Sequence, residues 1–181
     1  ANSNTASCTF VVTVVDNQAP VITCPANITV NNDPGECAAV VDFAATATDN
    51  CTALPVTIEY DLEPGSPFPV GTTTVTATAT DAAGNSSSCT FTVTVIDNEA
   101  PVPVQASLPT ITGTCSVTVT EAPLANDNCD DITGIPDGSL TFNTPGTFTI
   151  TWTYTDAAGN SSTQPQTVVV NNNPGVINSH P

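Results

Sequence analysis

The residues of this chain that could do chemistry are carboxylates, side-chain amides and thiols, and they recur in fixed company. Asp16–Asn17 and Asp97–Asn98 stand in the related phrases "DNQAP" and "DNEAP". Asp49–Asn50 and Asp127–Asn128 each precede a cysteine, and Asp81 with Asn85 and Asp156 with Asn160 bracket two copies of "DAAGN". Carboxylate, amide and carbonyl oxygens are what Ca²⁺ takes, about six to eight at a time. The candidate calcium ligands are therefore Asp16, Asn17, Asp49, Asp81, Asn85, Asp97, Asn98, Asp127, Asp156 and Asn160. A plainer role competes, because Asp and Asn also build turns by bonding their side chains to nearby backbone. The sequence leaves both readings open.

Other chemistries find little to work with. The single histidine, His180, cannot supply a Ser–His–Asp constellation for the chain. There is no Cys-x-x-Cys spacing to suggest zinc. Asp130 and Asp131 are adjacent, the mark of a solvated loop rather than of a glycosidase's opposed acids. No glycine-rich loop carries a lysine for phosphate. The expectation is that the chain is not an enzyme. Its 17 acidic residues face neither lysine nor arginine, for a formal charge of −17. That balance argues against nucleic acid, whose phosphates need cationic partners, and against anionic lipid surfaces. No apolar run is long enough to span a membrane. Without an initiator Met or a signal peptide, the chain reads as a piece of something longer or as a mature secreted product. Seven cysteines favour an oxidising, extracellular setting.

The cysteines are ordered by a repeat. "CTFVVTVVDNQAP" (8–20) returns as "CTFTVTVIDNEAP" (89–101), setting Cys8 opposite Cys89 and Asp16 opposite Asp97. "TDAAGNSSS" (80–88) returns as "TDAAGNSST" (155–163), and "GECAAVVDFAATATDNC" (35–51) returns loosely as "GTCSVTVTEAPLANDNC" (113–129). The expected organisation is the last strand of one repeat (1–15), a complete repeat (16–97), a shorter repeat (98–173) and a tail (174–181). A period this long means an array of small domains. The complete repeat has Cys24, Cys37, Cys51 and Cys89. The next keeps Cys115 and Cys129, at the same separation as Cys37 and Cys51, and has Gln105 and Gln164 at the other two positions. Two cysteines stay together and two vanish together, as bonded pairs would. The comparison selects Cys24–Cys89, Cys37–Cys51 and Cys115–Cys129, with the partner of Cys8 upstream of the chain. With 39% hydrophobic and 5% aromatic residues the core is thin, and such domains depend on staples. In the chain-entropy model a short-loop bridge contributes roughly 3 kcal/mol and a long one more than about 4.

Alternation gives the elements that would position these groups. In "TTTVTATATD" (72–81) Val75, Ala77 and Ala79 share one face and threonines the other. In "TFTITWTYTD" (147–156) Phe148, Ile150, Trp152 and Tyr154 do the same. Period two with one apolar face is a strand of a sheet buried on one side. "DAAGN" then turns the chain into the next strand, at Cys89 or near Gln166, as a β-hairpin. Further strands are expected at 26–31, 37–43, 55–60 and 89–96, with counterparts at 115–120, 139–143 and 165–171. Six or seven short strands in each repeat, punctuated by Pro and Gly, predict an all-β chain of tandem immunoglobulin-like β-sandwich domains.

The phrases "APVITCPANITV", "DPGECAAVV", "ATDNC" and "FPVGTTTVTATATDAAGNSSSCTFTVTVIDN" run in an order that resembles the hyalin repeat, or HYR, domain over 16–98. The 99–173 repeat resembles a degenerate copy. The resemblance implies an immunoglobulin-like fold and a role in extracellular adhesion. Such arrays occur in animal matrix proteins and in very long surface proteins of gliding bacteria, and the Thr/Ala-rich texture resembles the latter, of the type of the gliding-motility adhesin SprB. The junction phrases also resemble the calcium linker of cadherins over a few residues. The expected function is a structural or adhesive segment of a large secreted cell-surface protein, projecting a binding surface through disulfide-stapled domains. Expected partners are neighbouring repeats or other copies of the protein, and glycans or surface proteins, without nucleic acid or membrane insertion. Two alternatives stand beside it: a filament subunit using residues 8–15 for strand addition, and an accessory module of a secreted glycan-degrading enzyme.

Overall fold

The computed structural model describes residues 4–51 and 55–172; the expected tail at 174–181 lies outside them. The described residues hold strands and no helix. In chain order these are β1 (Val21–Thr23), β2 (Ile28–Asn31), β3 (Ala38–Val41), β4 (Thr46–Thr48), β5 (Thr57–Tyr60), β6 (Ser66–Pro69), β7 (Gly71–Thr80) and β8 (Ser86–Ile96). The series continues with β9 (Val102–Pro103), β10 (Ile111–Thr114), β11 (Val117–Thr118), β12 (Leu124–Asn126), β13 (Asp131–Thr133), β14 (Ile135–Pro136), β15 (Thr141–Phe142), β16 (Gly146–Thr155) and β17 (Ser161–Asn171). One set of sheets runs β2–β8–β7–β5, β1–β4 and β3–β6. The other runs β10–β17–β16–β14, β13–β12–β9 and β11–β15. The chain is thus an all-β protein with sheets layered as in immunoglobulin-like sandwiches. Two compact units emerge, interleaved along the chain: Ala1–Ile28, Val40–Pro67 and Thr72–Thr94 form one, and Thr29–Ala39, Phe68–Gly71 and Val95–Pro181 the other.

Within the first unit, Val75, Ala77 and Ala79 of β7 and Phe91 and Val93 of β8 are buried, while the intervening threonines are not. Phe43 packs edge-on against Tyr60 and Phe91, at centroid distances of 5.3 and 4.9 Å. The Tyr60 hydroxyl accepts the Ala45 amide N–H at 2.7 Å, so the half-buried ring has its polar end satisfied. A disulfide joins Cys24, just past β1, to Cys89 on β8, with Cα atoms 5.9 Å apart.

The second unit is centred on the ladder from Gly146↔Val170 to Thr155↔Ser161. Ile150, Trp152 and Tyr154 of β16 and Val168 and Val170 of β17 bury one face, with Val117, Val119 and Ala125 packed onto it. β10 adds to β17 in parallel, Ile111 opposite Val168. Two glutamines sit inside this core. Trp152 Nε1 donates to Gln166 Oε1, and the Tyr154 hydroxyl donates to Gln164 Oε1, both at 2.9 Å. Gln164 Nε2 in turn donates to the Gln105 carbonyl at 2.6 Å. Gln105 and Gln164 hold the positions that Cys24 and Cys89 hold in the first repeat. A hydrogen-bonded glutamine therefore bridges the same two strand segments that a disulfide bridges there.

The expected strand at 8–15 is not formed. A strand exists only through its neighbour's hydrogen bonds, and residues 4–20 carry no strand, with Phe10 84% and Val11 92% exposed.

The glutamine bridge yields a measurable expectation. Gln164→Ala strands the buried Tyr154 hydroxyl and should lower unfolding free energy by about 1–3 kcal/mol. Urea denaturation of the variant with an unchanged midpoint would remove Gln164 from this structural role.

Candidate functional site

The two "DAAGN" hairpins are built alike but for one donor, Ala83 N–H in the first and Gly159 N–H in the second, and each ties down an aspartate of a junction. Asp81 Oδ1 accepts the N–H groups of Ala83 and Asn85 at 2.9 and 2.8 Å, and Oδ2 accepts Asn85 Nδ2 at 2.8 Å. Asp156 does the same with Gly159, Asn160 and Asn160 Nδ2 at 2.7, 2.8 and 2.9 Å. Gly84 and Gly159 lie at φ +90° and +96°, which a side chain would resist. The second amide hydrogen of Asn85 reaches the Asp16 carbonyl at 3.4 Å, and that of Asn160 reaches the Asp97 carbonyl at 3.2 Å. The hydrogen bond from the Asn85 side chain is the main cause that holds the Asp81 carboxyl below the ordinary range. These four candidate ligands are thus engaged as turn builders, and Asn85 and Asn160 turn N–H donors toward the junction.

Beside each hairpin the chain assembles a small cluster. Asp16, Asp49 and Cys51 bring one ligand atom each to within 4.8 Å of the others, and so do Asp97, Asp127 and Cys129. A cavity of about 230 Å³ opens at the first, lined by Asp16, Asp49, Cys51 and Asp81. Each aspartate spends one oxygen on a turn: Asp16 on Gln18 N–H, Asp49 on Cys51 N–H, Asp97 on Glu99 N–H and Asp127 on Cys129 N–H, at 2.9–3.1 Å. Asp49 Oδ1 and Asp127 Oδ1 are buried without a hydrogen-bond partner, and so is Asn128 Oδ1. Burial is the largest influence raising the Asp127 pKa, with Asp97 and Asp156 adding repulsion against the backbone bond from Cys129. Asn17 and Asn98 stay exposed.

The cysteines depart from the expected pairing. Cys37 is bonded to Cys129, Cα atoms 4.9 Å apart, and Cys8, Cys51 and Cys115 are exposed thiols. Neither Cys37–Cys51 nor Cys115–Cys129 forms. Cys37 and Cys51 belong to different compact units. Cys115 follows β10 on one sheet, with φ +69°, whereas Cys129 sits between β12 and β13 on another. Around the observed bond, Gly35 N–H donates to both carboxylate oxygens of Glu99 at 3.1 and 2.9 Å, and Asn128 Nδ2 donates to the Glu36 carbonyl at 2.9 Å. This clasp ties residues 35–37 of the first repeat to the junction and cysteine loop of the second, all inside one compact unit. Sequence reasoning missed it, although Glu99 and Asn128 were visible.

Cys51 carries its own signature. A hydrogen bond to the Asp16 carboxylate, then burial, then the charges of Asp16, Asp49 and Asp81 push its thiol pKa up. Since the thiolate is the nucleophile, Asp16→Asn should speed alkylation of Cys51 by iodoacetamide near neutral pH. Peptide mass spectrometry showing an unchanged rate would refute the contact.

Residues 15–95 match the model of the HYR domain, and residues 100–170 match that of the HYR-like domain with 4 cysteines. The latter segment keeps only Cys115 and Cys129 of those cysteines. No curated protein sequence matches the chain. Similar solved structures include extracellular cadherin domains 1–5 of protocadherin gamma B2, at 13% identity and TM-score 0.46, over 90% of this chain and 42% of that one. The cis-dimer structure of domains 3–6 of protocadherin gamma B7 aligns at 15% and 0.39, over 86% of this chain and 51% of that one. The Ig1–2 module of the Drosophila receptor tyrosine phosphatase DLAR aligns at 14% and 0.31, over 84% and 99%. This chain spans about half the length of the protocadherin structures. None of these likenesses points to a bacterial source or to a gliding-motility adhesin. The two family matches cover residues 15–170 but for 96–99, and the chain is accordingly one that carries an HYR domain followed by an HYR-like domain.

Proposed function

We propose that this chain is a non-enzymatic segment of an extracellular adhesion protein, in which HYR-type sandwiches in series (16–97 and 98–173) hold a binding surface away from the cell, and in which Ca²⁺ stiffens each repeat. The observation that carries the calcium reading is the duplicated cluster with its duplicated orphan: Asp49 Oδ1 and Asp127 Oδ1 are buried and unpartnered at equivalent positions. A buried carboxylate oxygen without a donor is costly, and no lysine or arginine exists to relieve it. Asp16 with Asp49, and Asp97 with Asp127, are the residues that would hold the ion, with water and backbone oxygens completing a hard-cation shell. Sulfur is a poor calcium ligand, so Cys51 and Cys129 are neighbours of the site rather than part of it. The junction likeness to cadherins and the HYR matches support an adhesive role in which other repeats or copies are the first partners.

A second reading rests on a separate observation. Phe10, Val11, Val12, Val14 and Val15 are exposed in a segment patterned as a strand. Such a segment can complete a sheet in a neighbouring molecule, building a filament. Under reducing conditions, deletion of residues 1–15 should then abolish concentration-dependent polymerisation; a chain that stays monomeric at high concentration excludes the filament.

For calcium, melting temperature is the readout. At a hundredfold excess over Kd the ion should add about 2.7 kcal/mol per site, or about 5–10 °C for a chain of this size. Asp127→Asn should lose the second site's share. In EDTA the sign reverses. Because burial raises the folded-state pKa of Asp127, its favourable contribution is full below the unfolded value and is lost as pH rises through the folded one. The variant should then be no less stable than wild type at neutral pH. Equal melting temperatures with calcium and with EDTA sink the proposal.

A further inference from the structure

The Cys37–Cys129 bond assigns a role to the two free cysteines of the repeats. Aligning 35–51 with 113–129 makes Cys115 the counterpart of Cys37, and Cys51 the counterpart of Cys129. The bond that forms therefore runs from the earlier cysteine of one repeat to the later cysteine of the next. Cys51 and Cys115 are the two halves of that bond left without partners, and both are exposed. We propose that each is a docking point for another repeat of this kind, which closes a disulfide with Cys115 through its counterpart of Cys51, and with Cys51 through its counterpart of Cys115.

The surroundings of the thiols support the assignment. Cys51 stands against Asp16 and Asp49 just as the bonded Cys129 stands against Asp97 and Asp127. The polar contacts of the existing clasp have exposed counterparts. Glu99, which accepts the Gly35 N–H, corresponds to Gln18, whose side-chain oxygen can accept the same amide. Asn128, which donates to the Glu36 carbonyl, corresponds to Asn50, and Glu36 corresponds to Thr114. One feature is not repeated: the turn before Cys37 places Gly35 at φ +77°, whereas in the second repeat Cys115 itself takes the positive φ. The incoming repeat thus meets a thiol presented on a different backbone, and the disulfide is the element common to all the joints.

Chemically the step is thiol–disulfide exchange. Two thiols lose two electrons and two protons; the S–S bond of a small oxidised disulfide such as oxidised glutathione breaks, and two reduced thiols leave as the protein S–S bond forms. The same joint can be closed by a repeat in the same longer chain or by a second copy of this one, and an experiment separates them.

The full chain with Cys8→Ser is incubated in a redox buffer of oxidised and reduced glutathione. Because there is no lysine or arginine for trypsin, a Glu- or Asp-specific protease provides the peptides. A ladder on non-reducing gels, with Cys51 joined to Cys115 and Cys37 to Cys129, is the expected result. Adding Cys51→Ser or Cys115→Ser should each remove the ladder, and mixing those two variants should restore a single dimer band. A second arm uses two copies fused head to tail, where Cys115 of the first copy should bond Cys51 of the second within one molecule. Bonding in the fused arm alone assigns the partner to the same chain; bonding between separate chains shows that a second copy suffices. The proposal falls if neither arm yields a Cys51–Cys115 peptide, or if Cys51–Cys51 and Cys115–Cys115 peptides match it in amount. It falls equally if the digest shows Cys37–Cys51 and Cys115–Cys129.

Discussion

Seventeen carboxylates must be accommodated in a chain that has neither lysine nor arginine, and the rest of the structure follows from how this is done. An acid cannot be paired with a cationic side chain here, so backbone N–H groups take that place. Asp81 and Asp156 close their hairpins this way, and Glu99 grips Gly35. Asp61 and Asp137 receive the N–H of Thr76 and Thr151 at 2.8 and 3.0 Å, at equivalent edges of the two repeats. A carboxylate that accepts N–H bonds organises the loop that donates them. Loops that would otherwise be loose are thereby fixed, and the aspartates with one oxygen left over are gathered at the junctions. Among the described residues those leftovers gather in two clusters, Asp16 with Asp49 and Asp97 with Asp127.

The same economy governs the core. Threonine faces leave one side of each long hairpin wet, so a single apolar layer carries each sheet. Two solutions bridge β1 or its counterpart to the last strand. The first repeat uses Cys24–Cys89, closing a loop of 65 residues, worth about 4 kcal/mol in the chain-entropy model. The second uses Gln164, bonded to Tyr154 and the Gln105 carbonyl, beneath the larger rings of Trp152 and Tyr154. Greater apolar volume accompanies the loss of the covalent bridge.

The contacts at the junction phrases are as specific as those inside the sheets. The clasp at Cys37 and Cys129 makes part of the first repeat belong to the compact unit of the second. Junction aspartates held by the Asn85 and Asn160 side chains lie beside Cys51, a free thiol, and Cys129, a bonded one.

Much of this was legible in the residues themselves. Alternation in 72–81 and 147–156 specified strands with one buried face, because a period of two admits no other regular backbone. The common loss of Cys24 and Cys89 pointed to their bond, and "DAAGN" pointed to the hairpin. The sequence could not choose a partner for Cys37. Both repeats contain both members of the other pair, and that regularity is the same whether the bond lies within a repeat or joins one repeat to the next. Nor could it say whether an aspartate would serve a turn or face an ion, since the residue types are shared. Only the tertiary structure decided the pairing, by placing Cys37 and Cys51 in different compact units, and only it shows which aspartate oxygens are spent on turns and that Asp49 Oδ1 and Asp127 Oδ1 stay buried without a donor.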